Sequence, residues 1–117
     1  MLAASLRLAL AICLLSSVGL LHAAEQAVEV IDDVGTRLRL AQPAQRIISL
    51  APHLTETLFA AGAGERIVGS VEYSNYPPAA AAIARVGSYA QIDLERVIAL
   101  RPDLIIGWQS GNAAAHL

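Results

Sequence analysis

From residue 46 onward the sequence repeats one pattern, in which a short apolar run leads into a loop and then into a helix-forming segment. Helices are predicted over residues 54–61, after Pro77 and after Asp93, and a further helix begins at Asn112. Buried strands are predicted at the apolar runs that cover residues 46–50, 66–71 and 104–107, and a brief strand, third in chain order, is predicted at residues 84–86. Because strands that alternate with helices form a parallel sheet flanked by helices, the sequence predicts an α/β fold.

A different segment precedes this pattern and predicts a short β-hairpin. Residues 28–31 and 36–40 are strand-like runs on either side of a turn that contains Gly35. We therefore expect a hairpin and linker over residues 25–45, followed by the main α/β domain over residues 46–117.

Residues 1–24 have the pattern of a cleaved secretory signal. Arg7 and the amino terminus supply positive charge, an apolar run follows, and Ala23 and Ala24 supply small residues for cleavage. An uncleaved membrane anchor is the alternative, but the apolar run is short for a membrane span and no basic residue follows it closely. Cys13, the only cysteine, lies within the run, so we expect the exported chain to contain no cysteine.

Charge and motifs argue against several classes of function. Eight basic residues, all of them arginine, stand against ten acidic ones, so the sequence gives no reason to expect a nucleic-acid partner. The first strand-to-helix loop reads SLAPHLTE, which is not a glycine-rich phosphate loop, and the sequence has no G-x-S-x-G nucleophile motif. His53 is the single histidine of the predicted loops, and Glu72 and Glu95 form no evident acid–base pair. We therefore expect a binding protein with no catalytic residues, no metal site and no cofactor of its own.

Aromatic side chains follow the ends of the predicted strands. Tyr73 comes after the second strand, Tyr89 after the third and Trp108 after the fourth, while His53 follows the first. The carboxyl ends of parallel strands share one edge of a sheet, so these four side chains are predicted to meet at one rim. Aromatic rings that also carry a polar atom suit a large, flat and partly apolar ligand. The alternative for Tyr73 and Trp108 is simple packing at the sheet edge.

Three stretches of the chain resemble a known family. They read RIISLAPHLTETLFAAGAGERIVG, VEYSNYPPAA and VGSYAQIDLERVIALRPDLIIGWQSGN. They resemble the N-terminal lobe of periplasmic cobalamin-binding proteins, which belong to the helical-backbone class of metal-chelate receptors of ABC importers. The resemblance runs from about Arg46 to Asn112. It implies a Rossmann-like N-terminal lobe of a two-lobe periplasmic receptor, more than twice as long, that holds cobalamin between its lobes and delivers it to an importer permease in the inner membrane.

The resemblance also implies roles for individual residues. Tyr73, Tyr89 and Trp108 match aromatic positions that line the cobalamin cleft, and Tyr89 stands where the best-known members have tryptophan. His53 stands where some members have a small residue, which implies closeness to the ligand but not ligation of cobalt.

Glu95 is the residue that the resemblance assigns to partner docking. It matches an acidic residue of the lobe surface that docks into arginine-lined pockets of the permease. Leu94, Val97 and Ile98 share one helix face that is predicted to point inward, which leaves Glu95 outward. The alternative is an ordinary acidic residue in the first turn of a helix, where the helix dipole favours it.

Two other functions stay open. The first is capture of heme or a ferric siderophore, because receptors of the same superfamily share the strand–loop–helix pattern. Related heme receptors place a tyrosine near this loop to bind iron, but the matching position here is Ser88, with Tyr89 one residue later. The second is a periplasmic interaction module made of the single lobe.

Overall fold

The computed structural model describes residues 27–117, so the predicted secretory signal at residues 1–24 lies outside the described part of the chain. The protein divides into two compact units, one ending at Pro43 and one running from Ala44 to Leu117. No helix within residues 27–117 is long and apolar enough to span a membrane.

The first unit contains the predicted β-hairpin. Strand β1 covers Val28–Ile31 and pairs antiparallel with strand β2, Arg37–Leu40. The Asp32 side chain accepts hydrogen bonds from two backbone N–H groups of the turn, at 2.7 and 3.0 Å. Gly35 has a φ of +84°, a left-handed conformation that glycine adopts without steric cost. The prediction of a hairpin is confirmed.

A three-stranded parallel sheet forms the core of the second unit. Its strands are β3 (Ile47–Ser49), β4 (Ile67–Gly69) and β5 (Leu104–Ile106), in the spatial order β4–β3–β5. Each coincides with a predicted apolar run, and β3 is buried along its whole length because it lies between the other two strands. The prediction of a parallel sheet flanked by helices is confirmed.

The prediction of a strand over residues 84–86 is wrong. This segment lies beside β4 but makes one isolated parallel bridge, between Ser70 and Arg85. Gly87 has a φ of +117° and turns the chain into an antiparallel bridge with Ile92. The turn therefore ends the parallel pairing before a strand can form.

Two short α-helices follow strands of this unit. Helix α1 covers Pro52–Ala60 and begins with proline, at a position where no backbone N–H is required. Helix α2 covers Leu94–Ala99, and the side chain of the predicted N-cap, Asp93, accepts a hydrogen bond from the N–H of Arg96 at 3.1 Å. The helix predicted at the end of the chain is only a 3₁₀ turn. The unit has 3₁₀ helices at Gly64–Arg66, Pro78–Ala82 and Ala114–His116.

The core of the second unit is small and aliphatic. Helix α2 contributes only Val97 to it, because a helix of six residues makes fewer than two turns over the sheet. The prediction that Leu94 and Ile98 also point inward is wrong, since these residues are 52% and 72% exposed. The buried core cluster consists of Ile48, Leu50, Val71, Val86, Ile92 and Val97.

Asp103 braces the sheet at the amino ends of its strands. Its carboxylate accepts hydrogen bonds from the backbone N–H groups of Gln45 and Arg46, both at 2.8 Å, and so joins the start of β5 to the start of β3. These hydrogen bonds, the one from Gln45 first, stabilise the charged form and hold the pKa of the Asp103 carboxyl below its ordinary value. This brace lies at the opposite edge of the sheet from the loops that carry the aromatic side chains.

Candidate functional site

Four loops at the carboxyl ends of the strands carry the residues that the sequence singles out. His53 lies in the first turn of α1, directly after β3. Tyr73 follows β4, Tyr89 follows the parallel bridge at Arg85, and Trp108 follows β5. The parallel arrangement puts these four loops at one edge of the sheet.

Three of these side chains are in contact, and we name His53, Tyr89 and Trp108 the ring cluster. The ring centres of His53 and Trp108 are 4.9 Å apart and the planes meet at 85°, so the two rings pack edge to face. The ring centres of Tyr89 and Trp108 are 6.0 Å apart, with the planes tilted by 50°. Trp108 is therefore the shared member of the cluster; it is half-buried, whereas His53 and Tyr89 are exposed.

The segments that carry Tyr89 and Trp108 lie at opposite ends of the strand order. The bridge at Arg85 lies outside β4, whereas Trp108 follows β5 at the opposite end of the order β4–β3–β5. Strands are spaced by about 4.8 Å, so roughly 14 Å separates these two segments within the sheet. The two loops must therefore approach each other along the carboxyl edge of the sheet to bring the two rings together, and Asn112 of the loop after β5 contacts the end of β3.

A tight turn fixes Trp108 in its own loop. The Trp108 carbonyl oxygen accepts hydrogen bonds from the N–H groups of Gly111 and Asn112, at 3.0 and 2.8 Å. The indole ring packs so closely over Gly111 that a Cβ atom at that position would overlap it. Glycine therefore lets the indole ring lie against the backbone of the loop.

Asn112 connects the loops of the ring cluster, although it was not among the residues singled out from the sequence. Its side chain is buried, and its Oδ1 accepts a hydrogen bond from the N–H of Trp108 at 2.6 Å. Its Nδ2 donates to the carbonyl oxygen of Tyr89 at 2.6 Å and to that of Leu50, at the end of β3, at 2.9 Å. The only sequence signal is a polar residue among the small residues of QSGNAAA, and that signal does not identify its partners.

Tyr73 lies at the same edge but apart from the ring cluster. Its side chain is 78% exposed, and within residues 27–117 no other aromatic ring contacts it. Its φ of +67° is strained for a residue with a Cβ atom, and such strain is frequent at functional sites. The structure therefore brings together three of the four predicted rim residues and leaves the fourth ring facing solvent.

Arg85 holds the turn that carries Tyr73. Its guanidinium group donates hydrogen bonds to the carbonyl oxygen of Ser74 at 2.8 Å, to Oδ1 of Asn75 at 3.2 Å and to the carbonyl oxygen of Ala80 at 3.2 Å. Within the described residues no acidic side chain forms a salt bridge with it. Neutral acceptors thus fix the guanidinium group, and the guanidinium group in turn fixes the loop.

Buried hydroxyl groups hold the start of α1, where His53 lies. The Thr55 hydroxyl donates to Oγ of Ser49 at 2.9 Å and lies 3.4 Å from Oγ of Ser74. All three hydroxyl-bearing residues are at most 1% exposed. This contact joins the end of β3, the first turns of α1 and the loop after β4.

Glu95 lies in the first turn of α2 and is exposed. Leu94 and Ile98, which are also exposed, flank it at positions that share a helix face. Helix α2 therefore presents a carboxylate beside two apolar side chains to the solvent.

An open cavity of about 540 Å³ lies beside the start of α2, and no residue of the ring cluster lines it. The cavity and the ring cluster are thus different places. We assign the candidate site to the ring cluster, because its rings offer apolar contact area whereas the cavity is open and mainly polar. The cavity is lined by Glu72, Gly87, Ser88, Gln91, Ile92, Asp93 and Arg96.

The rim offers contact area and hydrogen bonds to a ligand. Its rings present apolar faces, and the tyrosine hydroxyl, the imidazole and the indole N–H supply polar atoms at their edges. Within residues 27–117 no group of three histidine, cysteine, aspartate or glutamate side chains is placed to hold a metal ion.

Comparisons with a family model and with individual known proteins point to the same family. The chain matches the periplasmic binding protein family over residues 47–116. It is 51% identical over 75 residues to the vitamin B12-binding protein of Vibrio cholerae, an alignment that covers 64% of this chain and 27% of that relative. The chain thus spans about a quarter of the length of the curated relative it matches.

Two solved structures share the fold. The crystal structure of the periplasmic vitamin B12 binding protein of Vibrio cholerae matches with a TM-score of 0.61 at 50% identity, over 63% of this chain and 29% of that one. The periplasmic heme-binding protein of Roseiflexus sp. RS-1, in its apo form, matches with a TM-score of 0.57 at 32% identity, over 62% and 28%. The fold is therefore common to both, whereas sequence identity is higher with the vitamin B12 binding protein.

Proposed function

The chain belongs to the periplasmic binding protein family, and we propose that it captures cobalamin in the periplasm for delivery to an ABC importer. In this proposal residues 1–24 are removed as a secretory signal, and residues 25–45 form a hairpin and linker. Residues 46–117 then belong to the N-terminal lobe of a two-lobe receptor. Cobalamin is the transported ligand and serves no catalytic purpose in this protein.

The ring cluster is the observation that carries the proposal. A corrin ring is broad and flat and has amide groups around its rim, so aromatic side chains can pack on its face while their polar atoms meet its edge. Trp108 contacts both His53 and Tyr89, so the three rings form one continuous surface. One lobe covers only part of such a ligand, and a second lobe facing it would supply the remaining burial that tight binding needs. The exposed ring of Tyr73 is available at the same edge.

Heme is the competing ligand, because a heme-binding protein shares the fold at 32% identity. Two features favour cobalamin. Identity to the vitamin B12-binding protein reaches 51%. The family resemblance implies that Ser88 stands where related heme receptors have an iron-binding tyrosine, and the ring of the neighbouring Tyr89 lies near Trp108, with the ring centres 6.0 Å apart.

Titration of the complete two-lobe receptor, which we call the full-length protein, with cyanocobalamin and with hemin tests this choice. We expect saturable binding of cyanocobalamin, measured by isothermal titration calorimetry, and weaker or no binding of hemin. Tight binding of hemin without binding of cyanocobalamin would overturn the proposed ligand and favour the heme alternative.

Docking to the importer permease is proposed to involve Glu95. Its carboxylate is exposed, and the exposed apolar side chains of Leu94 and Ile98 lie beside it. An acidic group with apolar neighbours offers both charge steering and contact area to a protein partner with arginine side chains.

We expect Glu95→Gln to leave cyanocobalamin binding unchanged and to reduce uptake by cells severalfold, because one charged contact with the permease is lost. Glu65→Gln is the matched control, since Glu65 is exposed too but lies just before β4, at the opposite edge of the sheet. Uptake of labelled cyanocobalamin by cells that depend on each variant measures the effect. If both variants supported equal uptake, Glu95 would be an ordinary solvent-exposed residue of α2 with no role in docking.

A further inference from the structure

We propose that Asn112 is a positioning residue, which holds the Trp108 and Tyr89 loops at a fixed separation and so sets the shape of the ring cluster. This role rests on the proposed function only for its consequence in ligand binding. The geometry of the free protein carries the rest. Asn112 contacts the backbone of both ring-bearing loops and is itself 6% exposed.

The hydrogen bonds of Asn112 link the loops that carry the ring cluster. Its Oδ1 accepts from the Trp108 N–H at 2.6 Å, while its own backbone N–H donates to the Trp108 carbonyl oxygen at 2.8 Å. Its Nδ2 donates to the carbonyl oxygens of Tyr89 and Leu50, at 2.6 and 2.9 Å. One side chain therefore joins the loop after β5 to the loop that carries Tyr89 and to the end of β3.

The chemistry of this position requires a primary amide. One planar group must accept a hydrogen bond on one atom and donate two on another, and among short side chains only asparagine does so. Aspartate has nearly the same shape and keeps the acceptor for Trp108, but it loses both donors and places a negative charge beside two carbonyl oxygens. Leucine and alanine lose all three hydrogen bonds.

Among the residues of the ring cluster, Tyr89 depends most on the hydrogen bonds of Asn112. The segments that carry Tyr89 and Trp108 start roughly 14 Å apart along the sheet edge, counted as three strand spacings. Asn112 Nδ2 donates to the Tyr89 carbonyl oxygen and so joins the two loops where they meet. Without it, the Tyr89 turn keeps its own hydrogen bond, from the Ser88 N–H to the Gln91 carbonyl oxygen at 3.0 Å, and meets Trp108 through the contact at 6.0 Å between ring centres.

The test compares Asn112→Asp with Asp103→Asn in the 117-residue chain. Asn112→Asp removes two donated hydrogen bonds, to the carbonyl oxygens of Tyr89 and Leu50. Asp103→Asn also removes a side-chain hydrogen bond to the backbone, one of the two that Asp103 accepts, but at the opposite edge of the sheet. The chain has one tryptophan, so its fluorescence reports Trp108 alone. We expect Asn112→Asp to raise acrylamide quenching of Trp108 and lower its anisotropy, with Asp103→Asn unchanged in both. In the full-length protein we expect cyanocobalamin binding to weaken by roughly tenfold for Asn112→Asp only.

The outcomes separate the positioning role from the proposed ligand. If Asn112→Asp and Asp103→Asn changed fluorescence and affinity equally, Asn112 would be only a general contributor to stability and the inference would be overturned. If the parent protein did not bind cyanocobalamin, the proposed function would fail, while the fluorescence comparison would still decide the role of Asn112.

A measurement on the parent chain covers the case in which the variant does not fold. Trp108 lies in a loop, yet its backbone N–H donates to a buried side chain. We expect this N–H to exchange with solvent much more slowly than the neighbouring loop N–H groups in hydrogen-exchange NMR. Exchange at the rate of an exposed loop would overturn the inference.

Discussion

Replacing Trp108 with alanine is expected to weaken cyanocobalamin binding by roughly thirtyfold, or about 2 kcal/mol, while the fold persists. Trp108 contacts both other members of the ring cluster, at 4.9 Å from His53 and 6.0 Å from Tyr89 between ring centres. Its removal takes away the largest aromatic surface of the site and leaves the other two rings without the ring they pack against. Calorimetric titration of the full-length protein measures the change in Kd.

Trp108→Phe provides the graded control for this prediction. A phenyl ring still covers Gly111 but offers less area and no N–H, so we expect a smaller loss of affinity, on the order of threefold. Both variants should keep a far-UV circular dichroism spectrum like that of the parent, because Trp108 does not belong to the buried core cluster. An unchanged Kd for Trp108→Ala would mean that the ring cluster is only packing at the sheet edge.

Most strands of this fold can be predicted from apolar runs in the sequence. Strands β3, β4 and β5 coincide with short runs dominated by apolar residues; β3 is fully buried, whereas the central residue of β5, Ile105, is 48% exposed. The segment over residues 84–86 has apolar residues on either side of Arg85 but forms only one bridge, because the φ of +117° at Gly87 redirects the chain. A run of apolar residues does not specify where a turn interrupts the pairing.

The candidate site is predictable only as far as topology determines it. The parallel arrangement of the strands puts His53, Tyr89 and Trp108 at one edge, and the alternation of strands and helices in the sequence predicts that arrangement. Asn112 could not be found in this way, because its partners Tyr89 and Leu50 lie 23 and 62 positions away in the sequence. Contacts between loops depend on how each loop packs, and local sequence patterns do not encode that packing.

Local sequence patterns also do not show which members of a predicted cluster or buried helix face point to solvent instead. Tyr73 shares the edge but faces solvent, because its turn is held with a φ of +67° by hydrogen bonds from Arg85 to the following residues. Leu94 and Ile98 have helical spacing typical of a buried face, yet α2 is too short to bury more than Val97. Periodicity identifies the face of a helix, while its length and neighbours decide which side chains on that face are buried.

Replacing Gly87 with alanine is expected to lower the free energy of unfolding by about 3 kcal/mol or more. The φ of +117° is unfavourable for any residue with a Cβ atom, and the new Cβ would overlap the backbone carbonyl oxygen of Gln91. That oxygen cannot move away freely, since it accepts a hydrogen bond from the Ser88 N–H at 3.0 Å. The Gly87 carbonyl oxygen also accepts from the Glu72 N–H at 2.8 Å, so the strain spreads to the loop after β4.

Gly62→Ala is the matched control, because Gly62 has a similar left-handed φ of +81° but open space where a Cβ would lie. Its loss of stability should be about 1 kcal/mol, from backbone conformation alone. Chemical denaturation of the two variants, followed by circular dichroism, isolates the contribution of the overlap at Gly87. Equal losses would show that the chain relaxes around the new methyl group, in which case the Gly87 turn does not fix the loop that carries Tyr89. A larger loss at Gly87 would show that the backbone of this turn cannot move away from the new methyl group, so that the turn fixes the start of the loop that carries Tyr89.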